Sequence, residues 1–384
     1  MDLKIGRHIL FLYLFFAAFG FVFKSSIIDY PLTLGLLITN LTCMSLSLQK
    51  RTTDVRMIAF FVIGLSLSCF LNWARSPKQF PTDLGVYNTS HIMTGTICSI
   101  TTFFTAYMLR YKKQIRLNSF YRFCLVIFVL NIGAYILEAT VSTQQESTHG
   151  RANNVAYILL YTFLALHLKG FTRFNTIIAF ITFALVVSGA KRGAILSMVV
   201  ISLLYFYYRF KNSSKRVLLL IVPIVVAVLI GTATYIYSTD DNLQTKVEAT
   251  EQGDTSGREY MNGVLLLHWV NSDLSEQIFG YQFAGSIALL GMDAHNDWLE
   301  FLTGQGLVGV FFYLSIFLSF LIVFFKIKRW LRPHERFVFI AGVLFWFVRS
   351  FVSQACYSGE TLYLLIIFGV LMVDARKRPF QKVN

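Results

Sequence analysis

The sequence predicts an all-α polytopic membrane protein of about twelve transmembrane helices, with one large outward-facing loop between the ninth and the tenth. Three observations predict it. The 384 residues are 55% hydrophobic and only 14% charged, with a mean hydropathy of +0.60; soluble domains carry about a quarter charged residues. Apolar runs long enough to cross a ~30 Å hydrocarbon core as helices recur along the chain. Lysine and arginine gather in alternate connections, the sidedness that membrane insertion imposes on positive charge. Transmembrane strands would alternate over ~10 residues, and no segment does.

In order, the spans are expected at residues 8–24, 27–48, 57–73, 91–109, 120–141, 153–168, 174–190, 193–209, 217–238, 303–325, 337–354 and 359–373. With the N-terminus inside, the cytoplasmic segments become 1–7, 49–56, 110–122, 169–173, 209–216, 326–336 and 374–384. They hold most of the 34 basic residues and only Asp2, Asp54, Glu335 and Asp374 of the 20 acids. The net charge of +14 is therefore topology, and nucleic-acid binding is not expected from it. An even number of spans puts both termini in the cytoplasm. The first apolar stretch follows Lys4 and Arg7 but lacks a small-residue cleavage site, so it reads as an uncleaved first helix. The five cysteines are scattered through or near the spans without a CxxC pair and read as free apolar thiols.

No linker or low-complexity tract divides the chain, so residues 1–384 are expected to form a single transmembrane domain. The conspicuous connection is residues 239–302. It is polar through STDDNLQTKVEATEQGDTSGREY, amphipathic at MNGVLLLHWV, and helix-like in AHNDWLEFLTGQ. Loops of this length are functional or disordered, and the apolar content after residue 260 argues for short helices packed back on the membrane surface.

A few outward positions break the charge rule. Lys191 and Arg192 lie in SGAKRGA between the seventh and eighth spans, Arg258 in TSGREY on the long loop, Arg151 in HGRANN, and Arg349 near the outer end of the eleventh span. Arginine in or beside a membrane is costly and normally has a partner or a task. Its planar five-donor fork suits phosphate oxygens, so converging arginines would hold an anionic lipid headgroup. The bland alternative for each is a snorkelling or ion-paired side chain. His295 opens HNDWLEFLTGQGLVG, where a neutral imidazole could accept a hydroxyl proton near pH 7. Asp293, Asp297 and Glu300 flank it in sequence and could orient the ring. A lone histidine is more often structural, and spacing alone leaves both readings open.

Other motifs fail. Gly304, Gly306 and Gly309 spell GxGxxG, but no strand precedes them; they are expected to let a helix start close to its neighbours. There is no HExxH, no P-loop and no cluster of metal ligands, so neither a metal nor a cofactor is expected. A transporter or flippase is the competing class, but such proteins keep ionisable residues near the bilayer midplane and often show inverted repeats. Here the unusual residues gather at outer ends and no repeat is evident.

Taken together, these segments resemble the bacterial O-antigen ligase and polymerase superfamily, multi-span glycosyltransferases. The family's ligase signature is an HN pair, nine residues, Gly, two residues, Gly; here His295-Asn296 precede Gly306 and Gly309 at that spacing. The next position often holds Gly, Thr or Tyr in ligases and here is Val310, a departure that keeps the polymerase reading open. SGAKRGA is similar to the motif that supplies one arginine, mapping onto Arg192, and TSGREYMNGVLLLHW with IFGYQFAG to the segment that supplies a second, mapping onto Arg258. HGRANNVAYILL resembles a weaker motif before the sixth span. The resemblance covers about residues 145–325. It implies transfer of an undecaprenyl-diphosphate-linked glycan to an acceptor hydroxyl at the periplasmic face of the inner membrane, without metal. His295 would deprotonate or hydrogen-bond that hydroxyl, and Arg192 and Arg258 would neutralise the departing diphosphate. Lys191, Arg151, Arg349 and Asn296 would assist substrate binding. The acceptor would be lipid A–core for a ligase or a lipid-linked repeat unit for a polymerase. Chain-length regulators or other assembly proteins are implied partners; protein O-oligosaccharyltransferases are a more distant match.

Overall fold

The computed structural model describes residues 3–19, 26–50, 52–82, 85–141, 149–188, 191–210, 258–356 and 359–381, with isolated helical positions at 231, 234 and 238. It is helical almost throughout. Helices α1 (Leu3–Ala18), α2 (Ser26–Leu48), α3 (Thr53–Arg75), α4 (Thr89–Tyr111), α5 (Leu117–Val141), α6 (His149–Leu166), α7 (Arg173–Ser188) and α8 (Arg192–Phe210) coincide with the first eight expected spans. The ninth lies mainly outside the described residues. Three short helices follow, α9 (Arg258–Asn271), α10 (Leu274–Phe279) and α11 (Gly285–Leu290), then α12 (Asp297–Ile327), α13 (Pro333–Val352) and α14 (Leu362–Gln381). Among the described residues the one strand pair is a hairpin between α3 and α4, β1 (Gln79–Thr82) paired antiparallel with β2 (Gly85–Asn88).

Among the described residues, six helices are long and apolar enough to cross a membrane: Tyr30–Leu48, Thr53–Arg75, Thr89–Tyr111, Leu117–Ile136, Gly193–Phe210 and Asp297–Trp330. Shorter apolar helices occupy Val155–Lys169 and Arg173–Ser188. The chain is a polytopic membrane protein.

The chain groups into two compact units. The first comprises residues 1–116, 256–330 and 349–384; the second comprises 117–255 and 331–348. At the centre of the first is α4, whose polar sequence would seem unsuited to burial. Its threonines solve this locally. Thr94, Thr96, Thr101 and Thr102 return their hydroxyls to the carbonyls of Ser90, Ile92, Ile97 and Cys98 at 2.6–2.9 Å. Asn40 of α2 then donates to Cys98 O (2.9 Å) and Thr102 Oγ1 (3.0 Å) and accepts from Thr105 Oγ1 (2.6 Å). Small residues bring helices close: a Cβ at Gly369 would lie 2.8 Å from Tyr107 N, so α14 rides directly on the α4 backbone.

Two of the few acids expected inside are engaged. Arg110 grips both Asp374 oxygens at 2.7 and 2.8 Å, and Asp54 takes Lys326 at 3.0 Å and Arg376 at 2.6 Å. In the second unit, α6 packs on α5, α7 and α8. Its C-terminal His167 is buried within a cage of Phe163, Phe171, Tyr205 and Phe337.

Candidate functional site

The described half of the long loop is built, not loose. In α9, Met261 and Leu265 form the buried face. Asp273 caps α10, its Oδ1 accepting from Glu276 N at 2.8 Å, and Trp269 Nε1 donates across to Gln277 O at 3.1 Å. A corner at 279–283 then docks against two helices. Asn72 Nδ2 of α3 donates to Phe279 O (2.9 Å), Phe283 N donates to Ser76 Oγ (2.8 Å), and Tyr281 N donates to Thr303 O (2.9 Å).

That last bond explains the glycines. Helix α12 begins at Asp297, six residues before the expected span, and is broken at Gly306, whose φ of 64° and ψ of −161° are not helical. Backbone groups released at such a break need other partners, and Tyr281 takes the Thr303 carbonyl. A Cβ at Gly306 would lie 2.5 Å from the carbonyl carbon and oxygen of Ile278, and one at Gly280 would run into the Gly304 backbone. The glycines thus serve close backbone approach inside the helix, not at its start. Next to the break, Gln305 is fully buried with neither amide atom hydrogen-bonded.

His295 sits one step before this helix with φ 51°, in the left-handed region that side chains other than glycine rarely adopt. Its side chain is on the exposed surface. The residues around it fix it there. Asn296 is the N-cap of α12, its Oδ1 accepting from Trp298 N (3.0 Å) and Leu299 N (3.3 Å). Asp297, with no exposed surface, accepts from Tyr313 Oη (2.7 Å), Ala355 N (3.0 Å) and Cys356 N (2.9 Å). Glu300, 2% exposed, accepts from Ser286 Oγ (2.5 Å) and Ala294 N (3.4 Å). Of the three acids expected to be able to orient the imidazole, Asp293, Asp297 and Glu300, the last two are instead bonded to backbone groups. Buried charges are tolerated when several donors meet them, and a strained residue persists when its surroundings over-determine it.

The other expected residues are distributed as follows. Arg192 is the first residue of α8, Arg258 the first of α9, and Arg151 lies in the first turn of α6; their side chains are outside the described residues. Lys191 precedes α8, its carbonyl accepting from Ala194 N and Ile195 N at 2.9 and 3.0 Å, and its Nζ lies 4.7 Å from the centre of the Tyr157 ring. Arg349, 4% exposed, forms an ion pair with Glu360 at 2.8 Å. The bland reading of an ion-paired arginine thus fits Arg349. Among the described residues no group of three or more metal-ligating side chains occurs. Sequence reasoning missed the frame of Ser286, Tyr313 and the 355–356 backbone. Nothing in the spacing from His295 points to them.

Comparison with known proteins adds the family. Residues 177–314 match a family model described as O-antigen ligase. The match contains Lys191, Arg192, Arg258, His295 and Asn296, and leaves Arg151 and Arg349 outside. No curated protein matches the chain.

Proposed function

We propose that this chain, a member of the O-antigen ligase and polymerase superfamily, transfers a glycan from undecaprenyl diphosphate to an acceptor hydroxyl at the periplasmic face of the bacterial inner membrane. The observation that carries the proposal is His295: exposed, in a left-handed conformation, locked by Asn296, Asp297 and Glu300, inside the matched segment. An imidazole held this way suits a general base.

In the proposed reaction the acceptor hydroxyl oxygen bonds to the anomeric carbon of the donor sugar. His295 takes the hydroxyl proton, and the bond from that carbon to the diphosphate oxygen breaks, releasing undecaprenyl diphosphate. Negative charge grows on the leaving diphosphate, and Arg192 and Arg258 neutralise it; electrostatic help of this kind is worth about 3–4 kcal/mol per donor in other enzymes. Lys191, Asn296 and Arg151 would contact the substrate less directly, and Arg349 would act from within its pair with Glu360. The scheme asks nothing of a metal. The ion pairs of Asp54 and Asp374 gather the ends of α3, α4, α12 and α14 that the proposal, on charge sidedness alone, assigns to the cytoplasm along with both termini.

The preferred acceptor is lipid A–core. Val310, where ligases often carry Gly, Thr or Tyr, favours a second reading in which a lipid-linked repeat unit is the acceptor. Deletion separates the two: loss of a ligase strands long chains on undecaprenyl diphosphate, whereas loss of a polymerase leaves single repeats on the core. For the base, His295→Ala in proteoliposomes with donor and acceptor should abolish transfer while elution and thermal unfolding stay unchanged. Full transfer by the folded variant would refute the assignment.

A further inference from the structure

The α9–α10 segment carries a second feature, an apolar face turned away from the protein. Leu267 is 63% and Leu274 70% exposed, with Leu266, Val270 and Phe279 exposed beside them. Water-facing surfaces rarely gather so many large apolar side chains. We propose that α9 and α10 lie in the outer-leaflet interface of the membrane, with this face buried among lipid headgroups and upper acyl chains.

Depth is the argument. The apolar run of α3 ends near residue 73 and that of α12 begins near residue 303, two independent markers of the outer hydrocarbon boundary. The 279–283 corner is hydrogen-bonded to both helices at those levels, through Asn72 and Ser76 on one side and Thr303 on the other. It therefore sits at the boundary, and α10 leads into it. The length of α12 agrees. Past the break at Gly306, residues 307–327 alone span about 31 Å at 1.5 Å per residue, enough for a ~30 Å core. The turns before the break are in excess of that, and there Asp297 and Glu300 are buried in protein.

Residue chemistry points the same way. Tyr281 lies in the corner itself, Trp73 follows Asn72, and Lys78 Nζ lies 3.7 Å from the centre of the Trp73 ring. Amphipathic aromatics with basic neighbours are the ordinary furniture of a membrane interface. The segment packs on α12, where Leu307 and Phe311 are exposed, and is hydrogen-bonded to α3 through Asn72, next to the exposed Phe70 and Leu71. The inference rests on α3 and α12 spanning the membrane and is independent of the chemistry, so an inactive protein would leave it standing.

The test uses the full chain in vesicles of phosphatidylethanolamine and phosphatidylglycerol. All five native cysteines are buried, which keeps background labelling low. Leu267→Cys and Leu274→Cys probe the face; Asn271→Cys and Ser275→Cys, at exposed polar positions of the same helices, are comparators. The two face cysteines should react several-fold more slowly with a charged maleimide than the comparators. A bimane attached to them should be quenched when the vesicles contain brominated acyl chains. Equal reactivity would show the face open to water and overturn the proposal. Slow reaction without quenching would show it covered by protein, and would overturn it equally.

Discussion

Asp297 offers the sharpest test of how the site is held. Replacing it with alanine removes the acceptor for Tyr313 Oη, Ala355 N and Cys356 N. Tyr313 can turn its hydrogen to Ser350 Oγ, 2.7 Å away, so two buried N–H groups are left stranded. At roughly 1–3 kcal/mol for each unsatisfied group, the variant should lose about 2–6 kcal/mol. Asparagine should cost less. With its oxygen where Oδ2 stands, it can still accept from Tyr313 Oη, Ala355 N and Cys356 N; the charge assistance and the second Ala355 N contact at Oδ1 are lost, about 1–2 kcal/mol. Thermal unfolding of the purified protein in detergent should therefore rank wild type above Asp297→Asn above Asp297→Ala. Glycan transfer should fall in the same order, because Asp297 fixes the backbone two residues from His295. An alanine variant as stable as wild type, or an asparagine variant as damaged as alanine, would refute the bonding scheme.

Three further predictions follow from the same region. Gly306→Ala should lower thermal stability by about 2–5 kcal/mol, from a backbone conformation that side chains avoid and from contact with Ile278; an unchanged melting profile would mean the helix is not broken there. Gln305→Leu should raise thermal stability, since it removes a buried amide that has no hydrogen-bond partner, and a clear loss of stability would show that the amide is satisfied. Arg349→Met should cost about 3–5 kcal/mol by leaving Glu360 buried without its cation, and Arg349→Met with Glu360→Gln should recover most of it. A double variant no better than the single one would mean the pair is not coupled.

Hydropathy and charge sidedness made much of the helical layout legible, because a membrane span is specified by length and apolarity alone. They also marked out the 239–302 connection, whose described part, from residue 258, carries short helices. They could not show that α4, with its many threonines, lies at the centre of its unit; that depends on hydroxyls bonding back to their own helix, which hydropathy scales score as polarity. The candidate site reads in the sequence as a set of residue types. His295, Arg192 and Arg258 were named from a motif order and from positive charge where it is scarce. Their neighbours were misread for a geometric reason. Because His295 is left-handed, the chain reverses between it and Asp297, and residues adjacent in sequence face opposite ways. A carboxylate two positions from a histidine looks like its partner, yet here it points into the core.

That reversal bears on where the function is encoded. The family match ends at residue 314, yet the N–H groups that anchor Asp297 belong to residues 355 and 356, after α13. Ser350, which gives Tyr313 an alternative partner, lies there too. The left-handed backbone at His295 is strained, and strain is kept only by what surrounds it. Some of those surroundings are local, in Asn296 and Glu300; the rest come from the far end of the chain, through a turn that carries no motif. A segment chosen by the motif alone would keep the imidazole and both arginines, and would lose part of what holds His295 outward.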